Sequence, residues 1–539
     1  MHIKKYRINS YSIIFKGNTI DFKLNTNERG SSVYIIYQEN CVLFIHGVDV
    51  NEVLDVIDFR FICNKRAFIN FIENYSNINS AFLFDKNKKE LYVASDRMGV
   101  QPIFLHGNME RIIFSPQIIH IHKDLKEPLK INDEGLVNFL GFGYCAPETT
   151  FIYDNIERII PSTISIYNSK LQNTDIYKYG KQLRINNSEK EINIDKICDI
   201  LEESLVKIEK PFVGVTSGKD SLVISSLYSS EINNISSGNF GTKSCNDVVF
   251  GKILAEKMNF KYKFSDLCSF DELDKYINQI AFFSSGMATS SYVDMMKMVD
   301  SLLNSDEVFV MGEGGECVRQ FFHVTENTSN FNNYKTPVDS VRLMLKPKLH
   351  SILDSYQGFL IKKIKSVYDK FSPEYFVDFY RNHRIPGNFS LRTLILNSLT
   401  DKFTPFFDNN FINYTYESNL ENYRESTLHK KIISNKNKEL LNFFNKEDYS
   451  EDDDCQLWET RFPLFAKKFT DIVKSFKGDE FGISAKGLLD LIKKNKINPD
   501  RSLYLVLRAI TLVSFMNLLD DQEYYQKILP EKKLVNLSF

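Results

Sequence analysis

The sequence predicts an α/β protein in two parts: a β-rich part over residues 1–180, and a second part over residues 191–539 that combines a parallel sheet with a helical C-terminal stretch. Three observations predict it. Short apolar runs broken by turn residues fill the N-terminal third, which is a hairpin pattern. Residues 212–228 read as an apolar strand, a small-residue turn and a helix. Beyond Asp408 the pattern is mostly helical. A chain of 539 residues can bury ample core for two or three domains.

In chain order, Ala81-Phe82-Leu83-Phe84-Asp85 and Leu91-Tyr92-Val93-Ala94 read as strands, with turns at Asp85-Lys86-Asn87 and Met98-Gly99. A polar, charged stretch over residues 181–190 suits a linker. Ile194, Ile197, Leu201, Leu205 and Ile208 then fall on one helical face and open the second part as core residues. Phe212 to Val215 is a short strand, and an amphipathic segment follows the turn over 222–228. Glu307-Val308-Phe309-Val310-Met311 is another strand, running into Gly312-Glu313-Gly314-Gly315-Glu316. The acidic run at 451–454 reads as a solvated loop. No internal repeat is visible.

The turn after the first of these strands is the most informative segment. Thr216-Ser217-Gly218-Lys219-Asp220-Ser221 follows Val215 and leads into a helix. The N–H groups of a first helical turn and the helix dipole face an incoming anion, and small side chains let the backbone approach a phosphate. Asp220 is the odd member, because a carboxylate beside phosphates is repelled unless a divalent cation lies between them. The pattern is not a Walker A loop, which needs G-x-x-x-x-G-K-[ST]. It points to a Mg²⁺-dependent nucleotide or pyrophosphate site; the plainer alternative is a Ser/Gly turn that caps a helix. Ligands of open α/β sheets gather beyond the carboxyl ends of strands, so the loop at 312–316 is a candidate to face the same crevice.

These residues carry a resemblance. The 216–221 loop is similar to the S-G-G-x-D-S loop of the PP-loop ATP pyrophosphatases, which cleave ATP to AMP and pyrophosphate. Thr216 stands there for Ser, and Ser217 for a Gly whose backbone, if left-handed, would strain a serine. Residues 312–316 look like the G-[DE]-G-[GAS]-[DE] loop of the asparagine synthetase superfamily, with Cys317 where a Glu often follows. Lys402-Phe403-Thr404-Pro405-Phe406-Phe407-Asp408 resembles its R-x-P-F-L-D segment. Asn239-Phe240-Gly241, with Asp247 to Met258, resembles its strand and helix near the adenosine. Leu428-His429-Lys430-Lys431-Ile432-Ile433 resembles its lysine-bearing helix.

The N-terminal third resembles the glutaminase-type domain of the same superfamily. The residues that carry this are the two strands above, Ser95-Asp96-Arg97-Met98-Gly99-Val100-Gln101-Pro102 and Phe114-Ser115-Pro116, with Phe139 to Gly143, Thr150-Phe151 and Ile156 to Pro161 closing the domain. The resemblance implies an Ntn-hydrolase-like sandwich joined to a PP-loop domain of the adenine nucleotide alpha hydrolase-like kind. Such a glutaminase uses a cysteine directly after the initiator Met, whose freed α-amino group is the base. His2 stands there and the nearest cysteine is Cys41, so the domain is expected to be degenerate and unable to hydrolyse glutamine. The plain reading of His2 is a surface residue at a frayed terminus.

By the resemblance, ATP and Mg²⁺ are the cofactors, with Asp220 and Glu316 as metal ligands. Val215, Thr216, Ser217, Gly218, Lys219, Asp220, Ser221, Phe240, Gly241, Gly312, Gly314 and Gly315 would line the nucleotide, and Glu313, Gly314 and Gly315 would border the activated carboxylate. The family's C-terminal lysine has no clear counterpart. Arg461 could replace it electrostatically, although an arginine stays charged and shuttles protons poorly; Lys467 reads as a surface charge. Superfamily members without the cysteine resemble β-lactam synthetases, carbapenam synthetase and lasso peptide cyclases. The expected chemistry is AMP-forming amide-bond formation on a small-molecule or peptide carboxylate, giving a lactam or macrolactam. A precursor peptide and a companion protease are the implied partners in the lasso case. Amidation with external ammonia, a catalytically inactive binding homologue, and a PP-loop thiolase or tRNA-modifying enzyme are the alternatives.

Composition bears on the last of these. Net charge is −2 and the pI is about 6.5, so no basic field draws nucleic acid. The cysteines (Cys41, Cys63, Cys145, Cys198, Cys245, Cys268, Cys317 and Cys455) form no C-x-x-C and are expected to be reduced in a cytoplasmic enzyme. Met1-His2-Ile3-Lys4-Lys5 leads into strand residues, not a signal peptide. The apolar run 503–519 comes nearest to membrane-spanning length and contains Arg508, so no membrane partner is expected.

Overall fold

The computed structural model describes residues 2–47, 65–75, 78–125, 129–145, 151–180, 191–228, 235–318, 338–355, 380–416, 426–444, 458–476, 481–500, 502–520 and 533–539. The linker expected at 181–190, the acidic run at 451–454, Thr150, Cys63 and Cys455 lie outside them.

The N-terminal part is an antiparallel sheet that folds over itself. Its strands are β1 (His2–Phe15), β2 (Ile20–Thr26), β3 (Ser31–Tyr37), β4 (Cys41–Gly47), β5 (Ile78–Asp85), β6 (Glu90–Ser95), β7 (Phe104–Gly107), β8 (Ile112–Ser115), β9 (Glu157–Arg158), β10 (Thr163–Tyr167) and β11 (Asn173–Lys178). They run in the order β11-β10-β6-β5-β4-β3-β1-β8-β7-β9. β1 makes the fold-over possible: its first half pairs with β3, and its second half pairs with β2 and β8. Phe15, Phe22, Phe44, Phe82 and Phe114 fill the space enclosed, and helix Lys65–Asn74 covers another face through Phe68 and Ile72. The turn expected after Asp85 forms as expected, with its carboxylate accepting the N–H groups of Asn87 and Lys88. His2 is not frayed. It is exposed, but it pairs with Tyr37 across β1 and β3, and the two rings stack at 5.1 Å.

The second part is built on a five-stranded, wholly parallel sheet: β12 (Pro211–Gly214), β13 (Ser236–Gly241), β14 (Lys261–Asp266), β15 (Val308–Val310) and β16 (Lys402–Phe403). The order is β14-β13-β12-β15-β16. The chain moves outward from β12 to β14, then crosses back to place β15 on the other side of β12. The gap between β12 and β15 is therefore the topological switch point, where ligands of such sheets bind. Helix Ile194–Val206 buries the expected stripe of Ile197, Leu201 and Leu205. Helix Lys219–Leu227 departs from expectation. It is not amphipathic, for Ser221 to Leu227 are all buried, because it is packed against helices 194–206 and 427–436.

One strand, β17 (Lys533–Ser538), returns from the C-terminal region and pairs with β2, bringing the first sheet to twelve described strands. The largest core crosses between the two parts. Ile14, Phe104 and Leu140 share it with Ile280, Leu394, Phe462 and Ile510. Helix Ser502–Asp520 is long and apolar enough to cross a membrane, yet 78% of its Ser502–Leu519 window is buried in the molecule. It is a core helix of this fold.

The cysteines depart from expectation in part. Cys145, Cys198, Cys268 and Cys317 are free and buried, whereas Cys41 and Cys245 are disulfide-bonded, so the thiols are not uniformly reduced.

Candidate functional site

Two loops meet at the switch point. The first follows β12. Val215 is fully buried and its N–H donates to Gly238 O on the neighbouring strand at 3.1 Å, which ties the loop's start to the sheet. Thr216 and Ser221 close the turn, with their hydroxyl oxygens 3.0 Å apart, and the Gly218 N–H donates to Thr216 Oγ1 at 3.0 Å. Gly218 is the N-cap of helix Lys219–Leu227 and brings no capping side chain. Lys219 turns away over the Phe444 ring, 4.9 Å from its centroid. Ser217, which a left-handed backbone would strain, keeps a negative φ. Its N–H and its hydroxyl both donate to Asp247 Oδ1 in the first turn of helix Asn246–Lys257.

The second loop follows β15, and its glycines set its shape. Gly314 has φ +91°, and a Cβ there would strike the Phe407 ring. A Cβ on Gly315 would overlap Asp220 Oδ1, and one on Gly312 would meet the backbone of Asp220. The two loops are thus in contact, and only glycines allow it. Glu316 is one residue beyond that contact, with Oε2 accepting the Gly314 N–H at 3.0 Å. Phe240 and Gly241 lie beyond the switch point at the carboxyl end of β13, paired with Ser265 and Asp266 of β14.

Two further motifs converge on Asp220. The Nε2 of His429, a fully buried residue of helix Thr427–Lys436, lies 2.8 Å from Asp220 Oδ1. Phe406, from the segment after β16, stacks on that imidazole.

Glu313 is the centre of a separate charge cluster. Lys402 Nζ donates to its Oε2 and also to Thr393 Oγ1, while Arg392 Nη1 lies 2.9 Å from its Oε1. Glu313 and Lys402 are buried; Arg392 is partly exposed and sits between the rings of Tyr292 and Phe389. Burial pulls the Lys402 ammonium down in pKa, opposed by Glu313. Burial also works against the Arg392 charge, but Tyr292, Glu313 and Glu316 outweigh it and hold its pKa up. Cys317 packs with Met98, Ile385 and Phe389, and burial pushes its thiol up to about 12, with the nearby Glu316 and Asp220 carboxylates adding to the rise.

Arg461 is elsewhere in this arrangement. Its guanidinium forks onto both oxygens of the buried Asp294, at 2.7 and 3.0 Å, and donates to Cys268 O. None of these partners comes from the two loops. Lys467 is exposed, as expected. Sequence reasoning missed His429, Asp247, Lys402 and Arg392 as site residues. The first three lie in segments already singled out, but Arg392 lies in none, and nothing local marks it.

No group of three or more His, Cys, Asp and Glu side chains suited to a metal occurs among the described residues. Asp220 and Glu316 lie on the two touching loops, and both are carboxylates, the oxygen donors that Mg²⁺ takes when phosphate oxygens and water complete its shell.

The comparisons with known proteins address the N-terminal part. Residues 70–179 match the family model of a glutamine amidotransferase domain. The match spans β5 to β11 and fits the domain that the N-terminal resemblance implied, including the Asp96 turn whose carboxylate accepts the N–H groups of Met98, Val100 and Gln101. The chain matches no curated protein.

Proposed function

We propose that this chain is an asparagine synthetase-like ligase that activates a carboxylate with ATP, releases AMP and pyrophosphate, and joins the acyl group to an amine. The observation that carries this reading is the contact of two acid-bearing loops across the β12–β15 switch point, with Gly315 against Asp220 Oδ1. A carboxylate is a poor acyl donor until one of its oxygens becomes a good leaving group. Its attack on the α-phosphorus of ATP breaks the bond to pyrophosphate and makes that leaving group AMP. Mg²⁺ would supply charge neutralisation for the phosphates, held by Asp220 and Glu316. Thr216, Gly218 and Ser221 would cradle the pyrophosphate. Glu313 would border the activated carboxylate, with Lys402 and Arg392 beside it to meet the negative charge of the tetrahedral intermediate. That gives the basic role expected of Arg461 to two residues beside the acyl site.

In this reading His2 supplies no thiol nucleophile, and the attacking amine belongs to the substrate or to a second amino compound. Intramolecular attack is favoured, because holding the groups together gives an effective molarity of about 10⁵ M or more. The product is then a lactam or macrolactam. The test is ATP turnover with a panel of amino acids and peptides, followed by mass spectrometry with and without ammonium. AMP and pyrophosphate should appear, with loss of one water from the substrate independent of ammonium. ADP as the main product would sink the reading. A product that needs ammonium would instead make this an ammonia-dependent amidating enzyme. Asp220→Asn should abolish pyrophosphate release while leaving the melting temperature within a few degrees, since Asp220 sits in the first turn of helix Lys219–Leu227, outside the apolar core.

A further inference from the structure

His429 has no assigned role, yet it touches the carboxylate on which the proposed chemistry depends. Its side chain is 0% exposed, between Phe406, at a ring-centroid distance of 5.9 Å, and the start of helix Lys219–Leu227. A Leu would fill such a place without the cost of burying an imidazole. What the imidazole adds is an N–H 2.8 Å from Asp220 Oδ1. A lysine or arginine would also donate there, but a permanent positive charge would compete with a cation for the same carboxylate. A histidine can donate from a neutral ring. Gly315 hems in the same oxygen from the opposite loop.

We infer that His429 is a positioning residue, which fixes the Asp220 carboxylate in the orientation that a divalent cation needs. The inference rests on the reading of Asp220 as a metal ligand. A ligating carboxylate left to rotate about Cβ–Cγ must be ordered on binding, and loss of such a partner typically costs metal affinity about 10–100-fold.

The test uses the full chain, with Mn²⁺ as the probe for Mg²⁺ and α,β-methylene-ATP as a nucleotide that cannot be cleaved at the α-phosphorus. Electron paramagnetic resonance of unbound Mn²⁺ gives the affinity directly, without turnover. His429→Leu keeps the bulk and removes the donor; His429→Gln keeps a donor. His429→Leu should weaken nucleotide-dependent Mn²⁺ binding by about 10-fold or more, and His429→Gln by less than about 3-fold. Melting temperatures identify any loss of fold. Wild-type affinity in His429→Leu, or equal weakening in the two variants, overturns the inference and leaves His429 a packing residue. Wild-type protein that binds no Mn²⁺ beside the nucleotide overturns the Asp220 reading itself, and this inference with it.

Discussion

Ser217 occupies a position where the loop pattern has glycine, and the structure accommodates it by a partner and not by an unusual backbone. Its φ stays negative, and Asp247 accepts both its N–H and its hydroxyl. Cys317 is likewise absorbed, packed against Met98, Ile385 and Phe389, where burial raises the pKa of its thiol. A third buried polar residue yields a prediction about acid stability. His46 is enclosed in the N-terminal sheet beside Ser31 Oγ at 2.8 Å, and burial pushes its pKa down to about 3. An unfolded histidine titrates near 6.5, so below that pH protons bind the unfolded chain more tightly than the folded one. The stability His46 contributes is full above pH 6.5 and is lost progressively as pH falls to about 3. Between pH 7 and pH 5 the loss should be on the order of 2 kcal/mol, read from urea midpoints. His46→Gln should flatten that dependence; an unchanged slope would count against it.

At the scale of elements, the strand–loop–helix unit after β12 and the strand–loop after β15 matter through their contact. Each alone is a turn at a strand end. Together they put Asp220 against Gly315, and the glycine is what permits the approach. Gly315→Ala should therefore disturb Asp220 more than it disturbs the fold. Pyrophosphate release should fall at least about 100-fold, equivalent to roughly 2.7 kcal/mol of barrier, with a small change in melting temperature. Activity near wild type would show that the two loops can part without consequence. Helix Lys219–Leu227 gives the complementary lesson. Its sequence looks amphipathic over a few residues, but burial on all sides comes from helix 427–436, which lies some two hundred residues further along the chain.

The whole molecule is held by a core that both parts share, and by buried polar clamps between them. Asp401 accepts from Arg7, from the Ser32 N–H and from the Ser32 hydroxyl; Asn9 donates to Ser398 O; Asn397 donates to Gln101. Asp401 is the chain neighbour of Lys402, so the amidotransferase-type sheet grips the strand that carries the partner of Glu313. Deleting residues 1–180 would uncover Ile280, Leu394 and Ile510 and strand Asp401 without its donors. The truncated protein should be insoluble, or melt far below the full chain, as judged by expression and calorimetry. A soluble, cooperatively folding fragment would show that the shared core is dispensable.

Local grammar is written in the chain: hairpins in the N-terminal third, two strands ending in glycine and acid, and the stripe of the helix that opens the second part. Those signals are legible because they repeat over two to four residues. The N-terminal third also carries the amidotransferase likeness that the match over 70–179 supports. Which side chains meet is a matter of packing. His429 reaches Asp220 across 209 positions, Lys402 reaches Glu313 across 89, and Arg461 is committed to Asp294 across 167. Pairings at such separations leave no periodic trace in the chain. They are set by strand order and helix packing, which bring distant segments to one point only once the sheet has formed.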